Sequence, residues 1–279
     1  AIPSIRGKYR SRRMEDIVKE ARWLAENGVT ELVVVAQDTT RYGEDIYGKS
    51  MLPELLTALC EIDGFKWIRT LYCYPERITD ELLDVIAKED KLVKYLDMPI
   101  QHCDKTILKR MNRRGDRETL TALIKKIREK IPNVTLRTTL ITGFPGETKE
   151  QFEELCEFVK EIRFERLGCF AYSPEEGTPA EKFEDQVPLK DRERRAEIIM
   201  EEQMIISDSL NEAALDSEVE VVCEGFDRYA ECYYGRSQAD APEIDGKIFF
   251  LSEDKVRVGE YVKVKIDDTM DYDLIGSKM

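Results

Sequence analysis

Five strand-like runs alternate with amphipathic helical segments in the larger part of this chain. The runs lie at residues 31–36, 67–73, 94–100, 134–143 and 165–172. In the helical segment between the last two runs, Phe152, Leu155, Cys156, Val159 and Ile162 share one face, and Thr148 with Gln151 forms a candidate capping box before it. This alternation predicts an α/β fold with parallel strands, either an open doubly wound sheet or a βα-barrel.

The remainder of the chain has a different pattern. Residues 189–213 predict one long helix, and short strand-like runs separated by glycines follow at residues 218–224, 229–235, 246–251 and 261–266. Such a succession is typical of a small all-β barrel or sandwich. We therefore predict two domains, an α/β domain over residues 1–213 and a β-domain over residues 214–279.

The charge of the chain is strongly negative and unevenly distributed. The formal net charge is −14, and residues 214–279 hold sixteen Asp or Glu against eight Lys or Arg. A phosphate backbone is repelled by such a surface, whereas a basic protein is attracted to it. The opposite sign appears at the start, where residues 1–13 contain five basic residues and no acidic one.

Several classes of protein are excluded by what the sequence lacks. No run approaches 18 apolar residues, so no membrane span is expected. Neither a Walker loop nor a Gly-x-Gly-x-x-Gly motif occurs, which argues against a nucleotidase or a dinucleotide-dependent dehydrogenase. The seven cysteines are scattered without a Cys-x-x-Cys pair, and we interpret them as reduced thiols of a cytoplasmic protein.

Polar and aromatic residues stand where each predicted parallel strand ends. Parallel βα folds place their functional sites at these carboxyl ends, so we expect the residues to converge. The candidates are Gln37, Asp38, Gln101, His102, Arg137 and Tyr172. His102 is the only histidine, and a zinc site made with Cys103 and Asp104 alone is sterically improbable.

Taken together, these motifs resemble the radical S-adenosylmethionine (radical SAM) methylthiotransferase family. The resemblance covers nearly the whole chain. It is carried by residues 1–13, Gln37-Asp38-Thr39 with Tyr42-Gly43, Pro99 to His102, Leu108 to Arg113, Arg137 to Thr148, Tyr172-Ser173 with Gly177-Thr178, and Gly235 to Gly246. It implies a partial (β/α) barrel of radical SAM type followed by a TRAM domain, a small OB-like barrel.

The family divides by substrate, and this sequence resembles the branch that acts on a protein. The tRNA-modifying members read Gln-Asn-Val-Asn and Gln-Ser-Gly-Ser where this chain has residues 37–40 and 101–104. The resemblance therefore implies methylthiolation of the β-carbon of an aspartate in small-subunit ribosomal protein number twelve. A tRNA adenosine methylthiotransferase stays open as an alternative, and so does a non-catalytic acidic docking module.

The resemblance also implies the cofactors and the partners. They are S-adenosylmethionine and a 4Fe–4S cluster, with two clusters in a full-length member, a reductant protein, and the basic ribosomal protein docked on the acidic TRAM-like domain. S-adenosylmethionine chelates the cluster iron through its amino and carboxylate groups. The six strand-end candidates are expected to bind cofactor or substrate, and Arg137 to neutralise a carboxylate.

No metal ligand is expected within this chain itself. The family's Cys-x-x-x-Cys-x-x-Cys motif ends one residue before the position of Ala1, with Arg6, Lys8 and Arg10 close to the cluster loop. The seven cysteines present do not have that spacing. The 279-residue chain alone is thus expected to be inactive.

Overall fold

The computed structural model describes residues 7–279, so the predicted role of Arg6 lies outside the described residues. The chain forms two compact units that divide between Glu202 and Gln203, inside the long helix. The domain boundary that we predict from the sequence, at residues 213 and 214, stays a prediction. No helix within the described part of the chain is long and apolar enough to cross a membrane.

The first unit contains five parallel strands, each inside one of the predicted runs. They are β1 (Glu31–Val34), β2 (Trp67–Thr70), β3 (Tyr95–Asp97), β4 (Thr135–Thr142) and β5 (Arg166–Ala171). Strand β1 pairs with β2, and β4 lies between β3 and β5, all in parallel register. A parallel bridge between Ile68 and Leu92 joins β2 to the segment before β3. The predicted α/β fold is confirmed.

Helices alternate with these strands. The α-helices are α1 (Met14–Glu26), α2 (Glu44–Tyr47), α3 (Leu52–Cys60), α4 (Asp80–Lys88), α5 (Lys105–Arg110), α6 (Arg117–Lys130), α7 (Lys149–Ile162) and α8 (Leu189–Ala213). Short 3₁₀ helices occupy Thr39–Arg41, Pro75–Arg77 and Ala180–Lys182. The capping box predicted at Thr148 and Gln151 is present at the start of α7.

The core of the first unit includes helix α3 and strands β2 and β3. Leu52, Leu56 and Leu59 of α3 are completely buried, and the residues of both strands are buried. Arg69 of β2 is a charged residue within this core. The Arg69 guanidinium lies 3.0 Å from a Glu31 carboxylate oxygen and 4.7 Å from the centre of the Tyr95 ring. Paired burial of this kind is how a charge is accommodated away from water.

The second unit is a closed five-stranded barrel. Its strands are β6 (Glu218–Asp227), β7 (Cys232–Arg236), β8 (Ile248–Leu251), β9 (Tyr261–Met270) and β10 (Asp273–Lys278). Strand β10, which the sequence analysis missed, closes the barrel by pairing with β8 in parallel and with β9 antiparallel.

One predicted barrel strand starts late, and one observed strand depends on a glycine, each for a physical reason. The run predicted at residues 229–235 begins only at Cys232, because the Asp227 carboxylate accepts the backbone N–H groups of Tyr229 and Ala230 and forms a turn. Strand β10 needs Gly276, since a Cβ there would lie 2.2 Å from the carbonyl oxygen of Lys265. The barrel interior is filled mainly by valine, isoleucine and phenylalanine.

Candidate active site

The structure places five of the six predicted residues after the carboxyl ends of three parallel strands, and it places Arg137 near the start of a fourth strand. Gln37 and Asp38 follow β1, Gln101 and His102 follow β3, Arg137 lies within β4, and Tyr172 follows β5. Their exposure differs sharply: Gln37 is exposed, Gln101 is half-buried, and His102 is completely buried. The strand ends thus form one edge, but the side chains do not all face solvent there.

Two residues at this edge have left-handed backbones without being glycine. Tyr72, after β2, has φ 59°, and Gln101, after β3, has φ 71°. The Tyr72 N–H donates to Asp97 Oδ2 at 3.0 Å, and the Gln101 N–H donates to the Thr139 carbonyl at 2.9 Å. Such a conformation costs about 1–3 kcal/mol and concentrates at functional sites. The other non-glycine residues with positive φ lie in turns or at helix ends.

Asp97 connects the left-handed backbone at Tyr72 to the side chain of Arg137. Its side chain is almost completely buried, and its Oδ1 accepts a hydrogen bond from the Arg137 guanidinium at 2.9 Å. Asp97 and Arg137 are register partners in the β3–β4 ladder. Because the charge of Arg137 is compensated by Asp97, any ligand carboxylate at this position competes with Asp97. The sequence analysis missed both Asp97 and Tyr72 as site residues.

His102 supports the loop after β4 from inside the protein. Its Nδ1 accepts the backbone N–H of Asp104 at 2.9 Å, so the imidazole carries its proton on Nε2. That nitrogen faces Glu147 Oε2 at 3.4 Å, with both side chains fully buried. Glu147 also accepts the Gly143 N–H at 2.9 Å and pairs with Arg195 at 2.6 Å. The predicted ligand contact of His102 stays a prediction, and its observed contacts fix the Gly143–Glu147 loop.

Tyr172 packs inward beside the same loop. Its ring meets Phe144 edge-on at 5.1 Å, and its carbonyl accepts a hydrogen bond from Arg192 at 2.9 Å. The Tyr172 hydroxyl is buried and has no hydrogen-bond partner within residues 7–279. Burial raises the pKa of this phenol, although the nearby Arg192 charge opposes the shift. An unsatisfied buried hydroxyl is a position where a ligand atom or a water supplies the missing partner.

Asp38 is a buried carboxylate at the end of β1. It accepts a hydrogen bond from the Thr40 hydroxyl, and its Oδ2 lies 3.4 Å from Arg77 Nε. Burial raises the pKa of Asp38, and this effect exceeds the opposing hydrogen bond from Thr40 and the charges of Arg77 and Arg41. Its backbone carbonyl accepts the Tyr9 hydroxyl at 3.2 Å, which ties the basic N-terminal segment to this edge.

The cysteines do not form a set of cluster ligands. Iron–sulfur clusters are held by thiolates. Burial raises the pKa of all seven thiols, to about 11 at Cys60 and Cys156 and to about 12 at Cys169. Among residues 7–279, moreover, no group of three or more His, Cys, Asp or Glu is arranged to hold a metal ion. The residues that the structure describes therefore do not fit a 4Fe–4S cluster.

Comparison with known proteins relates both units to families. The sequence pattern of the Radical SAM superfamily matches residues 1–159, and that of the TRAM domain matches residues 217–278. The solved structure of coproporphyrinogen III oxidase (HemN) from Escherichia coli, described as a radical SAM enzyme, is similar with a TM-score of 0.52 and 21% identity, covering 73% of this chain and 48% of that one. At that identity the similarity shows the fold alone.

Curated relatives are similar along almost the entire chain. A protein from Clostridium tetani (strain Massachusetts / E88) named ribosomal protein uS12 methylthiotransferase RimO is 50% identical over 276 residues, which is 99% of this chain and 62% of that protein. Proteins of the same name from Lachnoclostridium phytofermentans and Clostridioides difficile are 52% and 51% identical and are covered to 63% and 62%. The chain spans about three fifths of the length of these relatives. This chain belongs to the radical SAM superfamily, whose pattern matches residues 1–159, and it carries a TRAM domain at residues 217–278.

Proposed function

We propose that this chain is the radical SAM and TRAM portion of an enzyme that methylthiolates the β-carbon of an aspartate in ribosomal protein uS12. The observation that carries the proposal is the identity of 50% or more, over 99% of the chain, with proteins named uS12 methylthiotransferases. The strand-end motifs at residues 37–40 and 101–104 support the same branch of the family. The reaction is placed in the cytoplasm, where ribosomal proteins are accessible.

Radical SAM chemistry depends on S-adenosylmethionine and a 4Fe–4S cluster, which together supply the radical that removes an unactivated hydrogen atom. The described residues provide no cluster ligands. We propose that the complete gene product carries two clusters and receives electrons from a reductant protein. Within this chain, Gln37, Asp38, Gln101, Arg137 and Tyr172 bind cofactor or substrate at the strand ends, while His102 and Glu147 position the loop after β4.

The barrel is the proposed docking surface for the ribosomal protein. On its β6–β9 face the charges compensate, because Glu218 and Glu220 lie opposite Lys265 and Lys263. The end of β9 and the turn into β10 differ, since Asp267, Asp268 and Asp271 are exposed and adjacent in sequence. A basic protein is attracted to such an acidic edge, whereas RNA is repelled. RNA binding therefore does not dominate.

The decisive experiment uses the full-length gene product with its clusters reconstituted. It is incubated with uS12, S-adenosylmethionine and a reductant, and uS12 is analysed by peptide mass spectrometry. A methylthio group on one aspartate is the expected product. Modification of tRNA instead of uS12 would support the alternative branch. Failure to modify either, with intact clusters, would favour the non-catalytic docking module.

The docking surface is tested separately by charge reversal. Asp267→Lys with Asp268→Lys is expected to weaken uS12 binding and to flatten its dependence on salt, because both changes remove attraction at the acidic edge. Glu218→Lys with Glu220→Lys serves as the matched control, since it makes the same change of charge at positions that Lys265 and Lys263 already face. Equal losses in both variants would contradict docking at the acidic edge.

A further inference from the structure

A cavity of about 410 Å³ opens beside the ends of β1 and β2. It is lined by Asp38, Arg41, Tyr74, Glu76, Arg77, Asn112 and Arg114. We call it the arginine pocket, because three guanidinium groups from three different segments line it. Two of these segments are the 3₁₀ helices that follow β1 and β2, and the third is the connection between α5 and α6. The pocket is therefore part of the strand-end edge.

Two of the three arginines are already neutralised. Arg41 and Arg77 both pair with the carboxylate of Glu44, and Arg77 also faces Asp38. Arg114 is exposed and has no ion pair, hydrogen bond or ring contact to any of residues 7–279. Its neighbour Arg113 stacks on the Tyr74 ring at 3.9 Å, which holds the segment against the pocket. Arg114 thus offers a positioned, uncompensated positive charge.

An uncompensated acceptor lies in the same pocket. Glu76 is exposed and likewise has no ion pair or hydrogen bond to a described residue, so it does not pair with Arg114. A guanidinium binds a carboxylate through paired N–H donors, and a free carboxylate accepts N–H groups. A ligand with one carboxylate beside an N–H donor satisfies both residues. A nucleic-acid phosphate satisfies Arg114 but brings no N–H donor for Glu76.

From this arrangement we propose that the arginine pocket receives the aspartyl residue of the protein substrate, with Arg114 binding its side-chain carboxylate and Glu76 accepting a backbone N–H beside it. The inference rests on the proposed function for the identity of the substrate. The amino-acid end of S-adenosylmethionine has the same chemistry. We assign the pocket to the substrate, and binding of the cofactor there is one outcome of the test.

The test compares two fluorescent uS12 peptides that differ only by aspartate or asparagine at the modified position. Binding to the 279-residue chain is measured by anisotropy. The aspartate peptide is expected to bind roughly tenfold more tightly, as a charge-assisted hydrogen bond implies. Arg114→Gln is expected to remove this preference and Arg114→Lys to keep part of it. Arg22→Gln, an equal charge change at an exposed position of α1, is the control.

Three results would overturn the inference: no preference in the unaltered chain, a preference that survives in Arg114→Gln, or an equal loss in Arg22→Gln. A further arm measures S-adenosylhomocysteine binding to the reconstituted full-length protein. Weaker binding there in Arg114→Gln would assign the pocket to the cofactor instead. Binding of N-acetyl-aspartate amide and N-acetyl-asparagine amide separates a failure of this inference from a failure of the proposed function. An Arg114-dependent preference between these two probes would retain the subsite even if uS12 is not modified.

Discussion

The imidazole Nε2 of His102 faces the Glu147 carboxylate at 3.4 Å, and both side chains are fully buried. His102 lies in the segment between β3 and α5, whereas Glu147 lies in the loop between β4 and α7. Since Glu147 also binds the Gly143 N–H and the Arg195 guanidinium, one carboxylate fixes the geometry of that loop. The loop is therefore held in place by buried contacts within the protein.

Glu147→Gln is expected to lower the free energy of unfolding by about 2–4 kcal/mol, because it leaves the mostly buried Arg195 without its counter-charge. Urea denaturation followed by circular dichroism provides the measurement. Glu153→Gln changes an exposed residue of α7 that pairs only across one helical turn with Lys149. It should cost less than about 0.5 kcal/mol. Equal costs for the two substitutions would contradict the supporting role of Glu147.

Asp38 is expected to make stability depend on pH in a defined direction. Because burial raises its folded-state pKa above the unfolded value, the folded protein binds more protons between these two values, and stability falls as the pH rises through them. Asp38→Asn lacks this titration. The unfolding free energy of the unaltered chain, relative to Asp38→Asn, should therefore increase as the pH is lowered from about 7 to about 4. A constant difference in urea titrations at both pH values would refute the assignment.

Gly276→Ala is expected to disrupt closure of the barrel. The added Cβ would lie 2.2 Å from the Lys265 carbonyl oxygen, a backbone atom that cannot move without breaking the β9–β10 pairing. A loss of about 1–3 kcal/mol is expected from such overpacking. Gly168→Ala is the control, because its nearest neighbour, a Phe170 ring carbon, lies 3.8 Å away. Calorimetry of both variants would test this, and an unchanged transition in Gly276→Ala would contradict it.

Removing one partner of the Arg69–Glu31 ion pair is expected to lower stability strongly, whereas replacing both partners with apolar residues is expected to lower it much less. Arg69→Met leaves the Glu31 carboxylate buried beside an apolar side chain and should cost about 3–5 kcal/mol. Arg69→Met with Glu31→Leu should recover much of that loss, since both charges are gone. Lys49→Ala, in an exposed pair with Glu54, should cost under about 1 kcal/mol. A double variant as unstable as Arg69→Met would show that packing, not charge, determines the cost.

The purified 279-residue chain should show no methylthiotransferase activity. Its seven thiols have raised pKa values and do not form a ligand set. After incubation with iron, sulfide and reductant, it is expected to bind no stoichiometric cluster by iron analysis and electron paramagnetic resonance. The full-length gene product, treated identically, is the control. Turnover by the shorter chain would overturn the expectation.

Features set by neighbouring residues could be predicted from the sequence. The capping box of Thr148 and Gln151 and the long helix over residues 189–213 were found because their signals are local. On the face of α7, Phe158 is buried while Cys156 is only half-buried, so the predicted face was slightly rotated. Strand β10 was missed because its stability comes from pairing with β8 and β9 and not from its own composition.

In the candidate site, too, features set by neighbouring residues could be predicted, whereas features set by distant partners could not. The strand-end positions of Asp38 and Tyr172 follow from the alternation of strands and helices, so the sequence indicates them. The roles of Asp97 and Glu147 depend on partners in other elements, such as Arg137 and Arg195, and no pattern in their own segments reports those partners. The left-handed backbone of Tyr72 is equally hidden, because aromatic residues rarely adopt it.

The two hydrogen bonds of Asp97 have a mechanical consequence. One of its side-chain oxygens accepts the Tyr72 N–H and the other accepts the Arg137 guanidinium, so the segment after β2 and strand β4 are both held by a single carboxylate. The backbone geometry at Tyr72 and the direction of the Arg137 guanidinium therefore depend on the same side chain.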